Sequence, residues 1–332
     1  MPRPPQIPDF AREGPFTRAQ ARAAGMSDRR LQGRQFVRVH PRVWRWAGYR
    51  MTPSDWQIAA QLAMPERARL SHVSRIQRTG LDVGPLHPVH LTITGDHHLA
   101  VEGIFLHRTE VMPPTDAVGV TPAAAFVQCC ASMRLLDLVV IGDHLLRVEA
   151  ATPEEIAAVA RLHPWRPGAA QVRSVLPWLH PRSWSPKESE LRAYVVASGL
   201  PTPEVNAEIR GFDGTVIGIG DLWFPRWRLV VEYEGRQHAE DPRQFRRDIE
   251  RYAAFRDHDV AYVQVTAAMT ADPTAVVQRI HTALVRRGYD GSPPRFGARW
   301  GSLFCGVRIS GDPATVWRVD SVDEPPPLPE TG

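Results

Sequence analysis

The stretch DLWFPRWRLVVEYEGRQH, residues 221–238, limits the possible folds of this chain more than any other segment. Two apolar runs flank Pro225, as in a pair of strands joined by a short turn. Yet Asp221, Glu232 and Glu234 stand where core residues belong. Taking even an uncharged polar group out of water without a partner costs on the order of 2–7 kcal/mol. Any fold built on this hairpin has to answer three acids.

Side chains alternate along LVVEYEG, so Val230, Glu232 and Glu234 share one side and Leu229, Val231 and Tyr233 the other. A turn centred on Pro225 and Arg226 sets residue 221 opposite residue 230. Asp221 then lies diagonal to Glu232 on the same face, roughly 7–8 Å away between backbones. Carboxylates gathered this way repel, and one takes up a proton unless a cation sits between them. Oxygen ligands completed by water describe a Mg²⁺ (or Mn²⁺) site built to meet phosphate.

The order of elements around the hairpin is regular. A helix over roughly 186–198 precedes a strand near 204–210, strands at 215–224 and 227–234, a helix at 242–257, the strand AYVQVT and the helix PTAVVQRIHTALVRR. That order is αβββαβα, a mixed sheet flanked by helices. Ser185, with Pro186 after it and Glu188 three residues on, forms a capping-box pattern. Asp248 and Arg251 are spaced as an i,i+3 ion pair.

The other end of the chain is basic. Residues 1–50 carry eleven arginines against Asp9, Glu13 and Asp28, a local net charge of +8 within a total of +4. Such asymmetry points to a polyanion partner. Thr17 is placed to cap a helix over 18–24 that stops at Gly25, and Ser27 to cap a second helix bearing Arg29, Arg30 and Gln32. FVRVHPRVWRWA alternates apolar and basic residues as a two-stranded ribbon does. Helix, turn, helix and ribbon make a winged helix-turn-helix. In that layout Arg29, Arg30 and Gln32 read base edges, and Arg38, Arg42 and Arg45 touch phosphate.

Between these ends, residues 51–150 read as a small α+β unit, with a helix at DWQIAAQLAM, strands at VHLTITG and GIFLHR, and helices at TPAAAFVQCCASM and RLLDLVVIGDHLLR. His72, His87, His90, His97, His98 and His107 are scattered through it without i,i+4 spacing or paired carboxylates, so no metal role is expected of them. Residues 151–184 are Pro- and Trp-rich and read as a linker, and 290–332 as a disordered tail. The expected domains are therefore 1–50, 51–150 and 185–289, α+β overall. The terminal LPETG lacks the apolar span of a wall-sorting signal. No run approaches the ~18 apolar residues of a membrane helix, and Cys129, Cys130 and Cys305 make no C-x-x-C pair. The cytoplasm is the expected compartment.

Residues 185–288, through SPKESELR, GLPTPEVNAEI, IGDLWFPRWRLVVEYEGRQH and FRRDIERYAAF, resemble the domain-of-unknown-function family related to the Vsr (very short patch repair) endonucleases of the PD-(D/E)XK superfamily. The resemblance implies a restriction-endonuclease-like fold with Asp221 and Glu232 as metal ligands and Glu188 completing the site. It further implies His238 as a proton shuttle, Arg246 and Arg247 facing phosphate, and Asp248 and Arg251 in support. Glu234 stands where that superfamily carries lysine, and Lys187 is the only lysine in the chain. Residues 14–48 resemble, more loosely, the winged-helix N-terminus of AbiEi-like antitoxins, which implies an operator and a cognate toxin as partners. Two functions follow as expectations: a metal-dependent DNA endonuclease, or a non-catalytic DNA-binding regulator of the antitoxin kind.

Overall fold

A computed structural model of the chain describes residues 7–234 and 242–308, with 242–249 as backbone only. The protein is α+β and divides into two compact units, Met1–Cys129 and Cys130–Gly332.

The first unit opens with α1 (Asp9–Glu13), β1 (Phe16–Thr17), α2 (Arg18–Ala23), α3 (Asp28–Leu31), β2 (Phe36–His40) and β3 (Val43–Trp46). The first N–H groups of a helix lack acceptors within it. Thr17 and Gln20 supply a reciprocal capping box to α2, and the Ser27 hydroxyl accepts from the Arg30 N–H of α3. Gly25 turns the chain between the helices at φ 75°. β2 and β3 form the expected antiparallel ribbon, and β1 adds a third strand beside β3 that sequence patterning does not reveal. Phe16, Met26, Leu31 and Phe36 seal the core beneath.

The unit continues with α4 (Pro53–Ala63), β4 (Arg69–Leu70), α5 (His72–Gln77), β5 (Val89–Thr94), β6 (Ile104–Thr109) and α6 (Pro122–Cys129). The boundary expected at residue 50 does not exist. Ala59 and Ala63 of α4 bury against Val43 of the ribbon, with Val39 and Ile104 packed on them, so the helix-turn-helix and the next region share a core. β4 pairs antiparallel with β5, and β5 parallel with β6, over Leu70, Val89, Leu91 and Ile93.

The second unit holds α7 (Leu135–Arg147), α8 (Pro153–Leu162), α9 (Ala169–Val175), α10 (Pro186–Ala197), β7 (Glu204–Arg210), β8 (Val216–Phe224), β9 (Leu229–Glu234), α11 (Pro242–Asp257), β10 (Ala261–Thr266), α12 (Pro273–Arg286) and α13 (Ala298–Ser302). From α10 to α12 the order is αβββαβα, as expected. The sheet order is β10-β9-β8-β7, antiparallel except for the parallel β9–β10 pair that α11 bridges. Gly218 and Gly220 let neighbours close on β8: a Cβ would come within 3.0 Å of the Phe255 ring at Gly218 and within 2.3 Å of Val230 at Gly220.

Three expectations fail here because segments distant in sequence pack and bond together. α7 belongs with α10, not with the region before it, because Asp143 is buried against Arg192. Residues 151–184 are no linker, since Ile156, Val172, Val175 and Leu179 are buried. Residues 290–308 are ordered structure: Trp300 and Leu303 are buried, and the carbonyls of Leu303 and Cys305 accept the Leu136 and Leu135 N–H groups at the start of α7. The terminal LPETG lies outside the described residues. Among the described residues no helix is long and apolar enough to cross a membrane.

The Arg192 guanidinium donates to both Asp143 oxygens, at 3.1 and 2.8 Å, and to the Trp178 carbonyl at 2.6 Å. Burial raises the Asp143 pKa while Arg192 opposes that rise. Removing one partner strands the other charge, which costs about 3–5 kcal/mol. Arg192→Met is expected to lose that much in urea denaturation, and Arg192→Met combined with Asp143→Leu to regain part of it.

Candidate functional site

Asp221 and Glu232 of the hairpin are answered by different groups. The turn occupies Pro225–Arg228, with Arg228 left-handed at φ 45°. Leu222 therefore pairs with Val231, Trp223 with Val230 and Phe224 with Leu229. The expected register is two residues out, and the pairing ends at Leu222 instead of continuing through Asp221. Beyond that point the Asp221 carboxylate reaches across the gap and accepts the Tyr233 N–H at 2.8 Å.

Glu232, 6% exposed, is gripped by a guanidinium. Arg251 of α11 donates Nη1 to Oε1 at 3.1 Å and Nη2 to Oε2 at 2.8 Å. Paired forks of this kind are strong and geometrically specific. Arg251 thus engages a carboxylate across the fold as well as lying within reach of its own helix neighbours; the Asp248 side chain lies outside the described residues. Glu234, half-buried, ends β9 in register with Thr266.

Glu188 is buried at the start of α10. Its backbone N–H donates to the Ser185 hydroxyl, but its own carboxylate accepts from Trp184 N–H at 2.7 Å and from Asn206 Nδ2 at 2.6 Å. Asn206 sits in β7 at φ 45°, a backbone region asparagine tolerates, and it also donates to the Arg182 carbonyl at 2.6 Å. This Asn206–Arg182 link has no sequence signature, because it depends on one left-handed residue inside a strand.

Among the described residues no group of three acids comes within metal-ligand spacing of one another. Of the set expected to hold Mg²⁺ or Mn²⁺, Glu232 has both oxygens facing Arg251. His238 lies outside the described residues, as do the side chains of Arg246 and Arg247. Asp221 keeps a distinct character: burial first, then the nearby Glu188 charge, pushes its pKa up to about 6, against the Tyr233 N–H and Arg251.

The basic end divides into bonded and free-standing positions. Arg18 and Arg22 clamp Asp28, and their hydrogen bonds hold that carboxyl well below the usual range. That clamp ties α2 to α3. Arg45 is turned inward, its Nη1 donating to the carbonyls of Trp46, Ala47 and Tyr49 at 3.2, 3.2 and 2.8 Å. It therefore closes the chain after the ribbon, contrary to the phosphate role expected of it. Arg30 is half-buried, whereas Arg29, Gln32, Arg38 and Arg42 are exposed, Arg42 at the ribbon's tip with φ 64°. Arg34, exposed beside them, is a further cation that the base-reading pattern did not single out.

Three of the scattered histidines come together. His72, His90 and His107 each bring one ring nitrogen within 4.8 Å of the others. Sequence spacing hid them, because β5 and β6 pair in parallel across an intervening loop.

No family model matches the chain. It is similar to two curated proteins of Mycobacterium tuberculosis, Uncharacterized protein MT2308 (strain CDC 1551 / Oshkosh) and Uncharacterized protein Rv2248 (strain ATCC 25618 / H37Rv), each 25% identical over 181 residues. The shared segment is 54% of this chain and 66% of each relative, so the chain spans a little under two thirds of their length.

The raised pKa of Asp221 sets a direction for stability. The folded state holds this proton more tightly than the unfolded state, so stability falls as pH rises from about 4 to about 6. A shift of this size corresponds to roughly 2–3 kcal/mol. Asp221→Asn is expected to be more stable than wild type by up to that amount at pH 7, with the gap closing near pH 4. Urea midpoints at the two pH values measure it, and a gap independent of pH would contradict it.

Proposed function

We propose that the protein is a DNA-binding regulator whose C-terminal sheet works without a bound divalent cation. The observation that carries this reading is the two-pronged contact of Arg251 on Glu232, at 3.1 and 2.8 Å. A cation between the hairpin acids would neutralise charge, and a guanidinium already does so.

Arg29, Gln32, Arg38 and Arg42 supply the DNA side of the proposal. They are exposed on a helix-turn-helix and ribbon in which Arg18, Arg22 and Arg45 are engaged in internal hydrogen bonds. α3 offers Arg29 and, just after it, Gln32 to base edges, while Arg38 and Arg42 on the ribbon meet phosphate. A cognate toxin partner and a cytoplasmic location belong to the same proposal. They rest on the likeness of residues 14–48 to AbiEi-like antitoxins and on the cysteine pattern.

A second reading, metal-dependent hydrolysis of DNA phosphodiesters, is favoured by one observation. The αβββαβα order sets Asp221 and Glu232 at the open end of β8 and β9 beside Glu188. It requires Arg251 to release Glu232.

In vitro selection from random duplexes with the full chain in EDTA, followed by anisotropy titration, tests the first reading. Binding is expected without metal and to weaken steeply between 50 and 200 mM salt. Arg38→Ala with Arg42→Ala is expected to weaken all sequences alike and reduce the salt slope by about two. Supercoiled plasmid incubated with Mg²⁺ or Mn²⁺ is expected to stay intact. Cleavage that needs the metal and disappears in Glu232→Ala would replace the regulator with the nuclease.

A further inference from the structure

We propose that His72, His90 and His107 form a binding site for one divalent transition-metal ion of the zinc class, separate from the acidic hairpin and independent of the DNA-binding reading. The parallel pairing of β5 and β6 sets Thr92 opposite His107 and His90 opposite Phe105. His90 and His107 are therefore two positions apart on one face of the sheet. His72 opens α5 directly after β4 and completes the group.

The nitrogens converge. His90 Nδ1 lies 2.9 Å from His107 Nε2, and the His72 ring stacks on that of His107 with centroids 3.6 Å apart. Three imidazoles at about 2.0–2.1 Å from a tetrahedral ion stand roughly 3.3 Å from one another. Loading therefore spreads the His90–His107 pair by a few tenths of an ångström and turns His72 out of its stack.

The surroundings match what a histidine-ligated ion uses. Ser71 Oγ lies 3.0 Å from His72 Nδ1, which leaves Nε2 for the ion. Gln128 accepts the His72 backbone N–H at 3.2 Å and donates to Thr92 at 3.2 Å. Ser74 Oγ accepts the His90 N–H at 3.0 Å. Ser71, Ser74 and Thr92 are buried, so these supports are fixed. A partner on the second ring nitrogen, as Ser71 is for His72, orients a metal ligand and sets its tautomer, while Gln128 and Ser74 fix the backbone of His72 and His90.

Two further facts favour a ligand over plain packing. His72 is held at φ 51°, a conformation that costs energy and gathers at functional positions. Burial lowers the pKa of all three rings, His107 to about 4, which favours the uncharged imidazole that a metal ion binds. No carboxylate is hydrogen-bonded to any of the three among the described residues, so the group is not a charged network in waiting. Imidazole donors without thiolates suit zinc and its neighbours. All three residues are only partly buried, so a fourth position remains for water or a small oxygen or nitrogen ligand.

The test uses the full chain, stripped by chelator and titrated with Co²⁺ and with Zn²⁺. Visible ligand-field absorption saturating at one Co²⁺ per chain is expected, displaced by Zn²⁺, together with a rise in melting temperature on adding Zn²⁺. His107→Gln and His90→Gln, each checked for folding by circular dichroism, are expected to lose affinity at least a hundredfold and to show no melting shift. His97→Ala combined with His98→Ala, on the exposed loop after β5, is expected to bind as wild type. A folded wild type with neither absorption nor melting shift would overturn the proposal. So would binding that survives His107→Gln or disappears with His97 and His98.

Discussion

Arginine answering a carboxylate away from water is the interaction on which this structure rests. All but one of its 40 lysine and arginine residues are arginines, and the guanidinium fork meets two oxygens or an oxygen and a carbonyl at once. Arg192 does this for Asp143 and Trp178 and Arg251 for Glu232, while Arg75, itself buried, meets the Val120 carbonyl and the exposed Asp116. Each pair joins segments far apart in sequence. The buried charge costs desolvation that the pairing only partly recovers, so these contacts specify which elements meet more than they add stability.

That habit decides how the C-terminal sheet is read. A set of acids around two strand ends admits two neutralising agents, a cation or a guanidinium, and only one can occupy the same oxygens. Here Glu232 has its guanidinium, Glu188 has the Trp184 N–H and Asn206, and Asp221 has the Tyr233 N–H and a raised pKa. Each acid is satisfied by a different neighbour. The hairpin thus has the hydrogen bonding of a closed polar core. Among the described residues, the ligand atoms that do gather are nitrogens of the other unit.

The same arginine economy shapes the basic end. A net +8 over 50 residues reads in sequence as one uniform field. In the folded unit part of it is spent on Asp28 and on the carbonyls after the ribbon, leaving a smaller exposed group at α3 and the β2–β3 turn. The exposed basic surface is thus sparser than composition suggests, and more localised.

The amino-acid sequence by itself determined the α+β class, the αβββαβα order and the limits of most helices and strands, because capping residues and apolar periodicity are local. Thr17, Ser27 and Ser185 start their helices where their side chains direct, and β10 spans the residues its alternation marks. A hairpin shift of two residues leaves a strand's faces unchanged, so the apolar pattern could not fix where the β8–β9 pairing would end. Only the tertiary structure decided that Arg251 meets Glu232, that residues 151–184 and 290–308 join the core, and that three dispersed histidines become neighbours. Those outcomes arise from contacts between segments distant along the chain, and no local periodicity encodes which distant group will arrive.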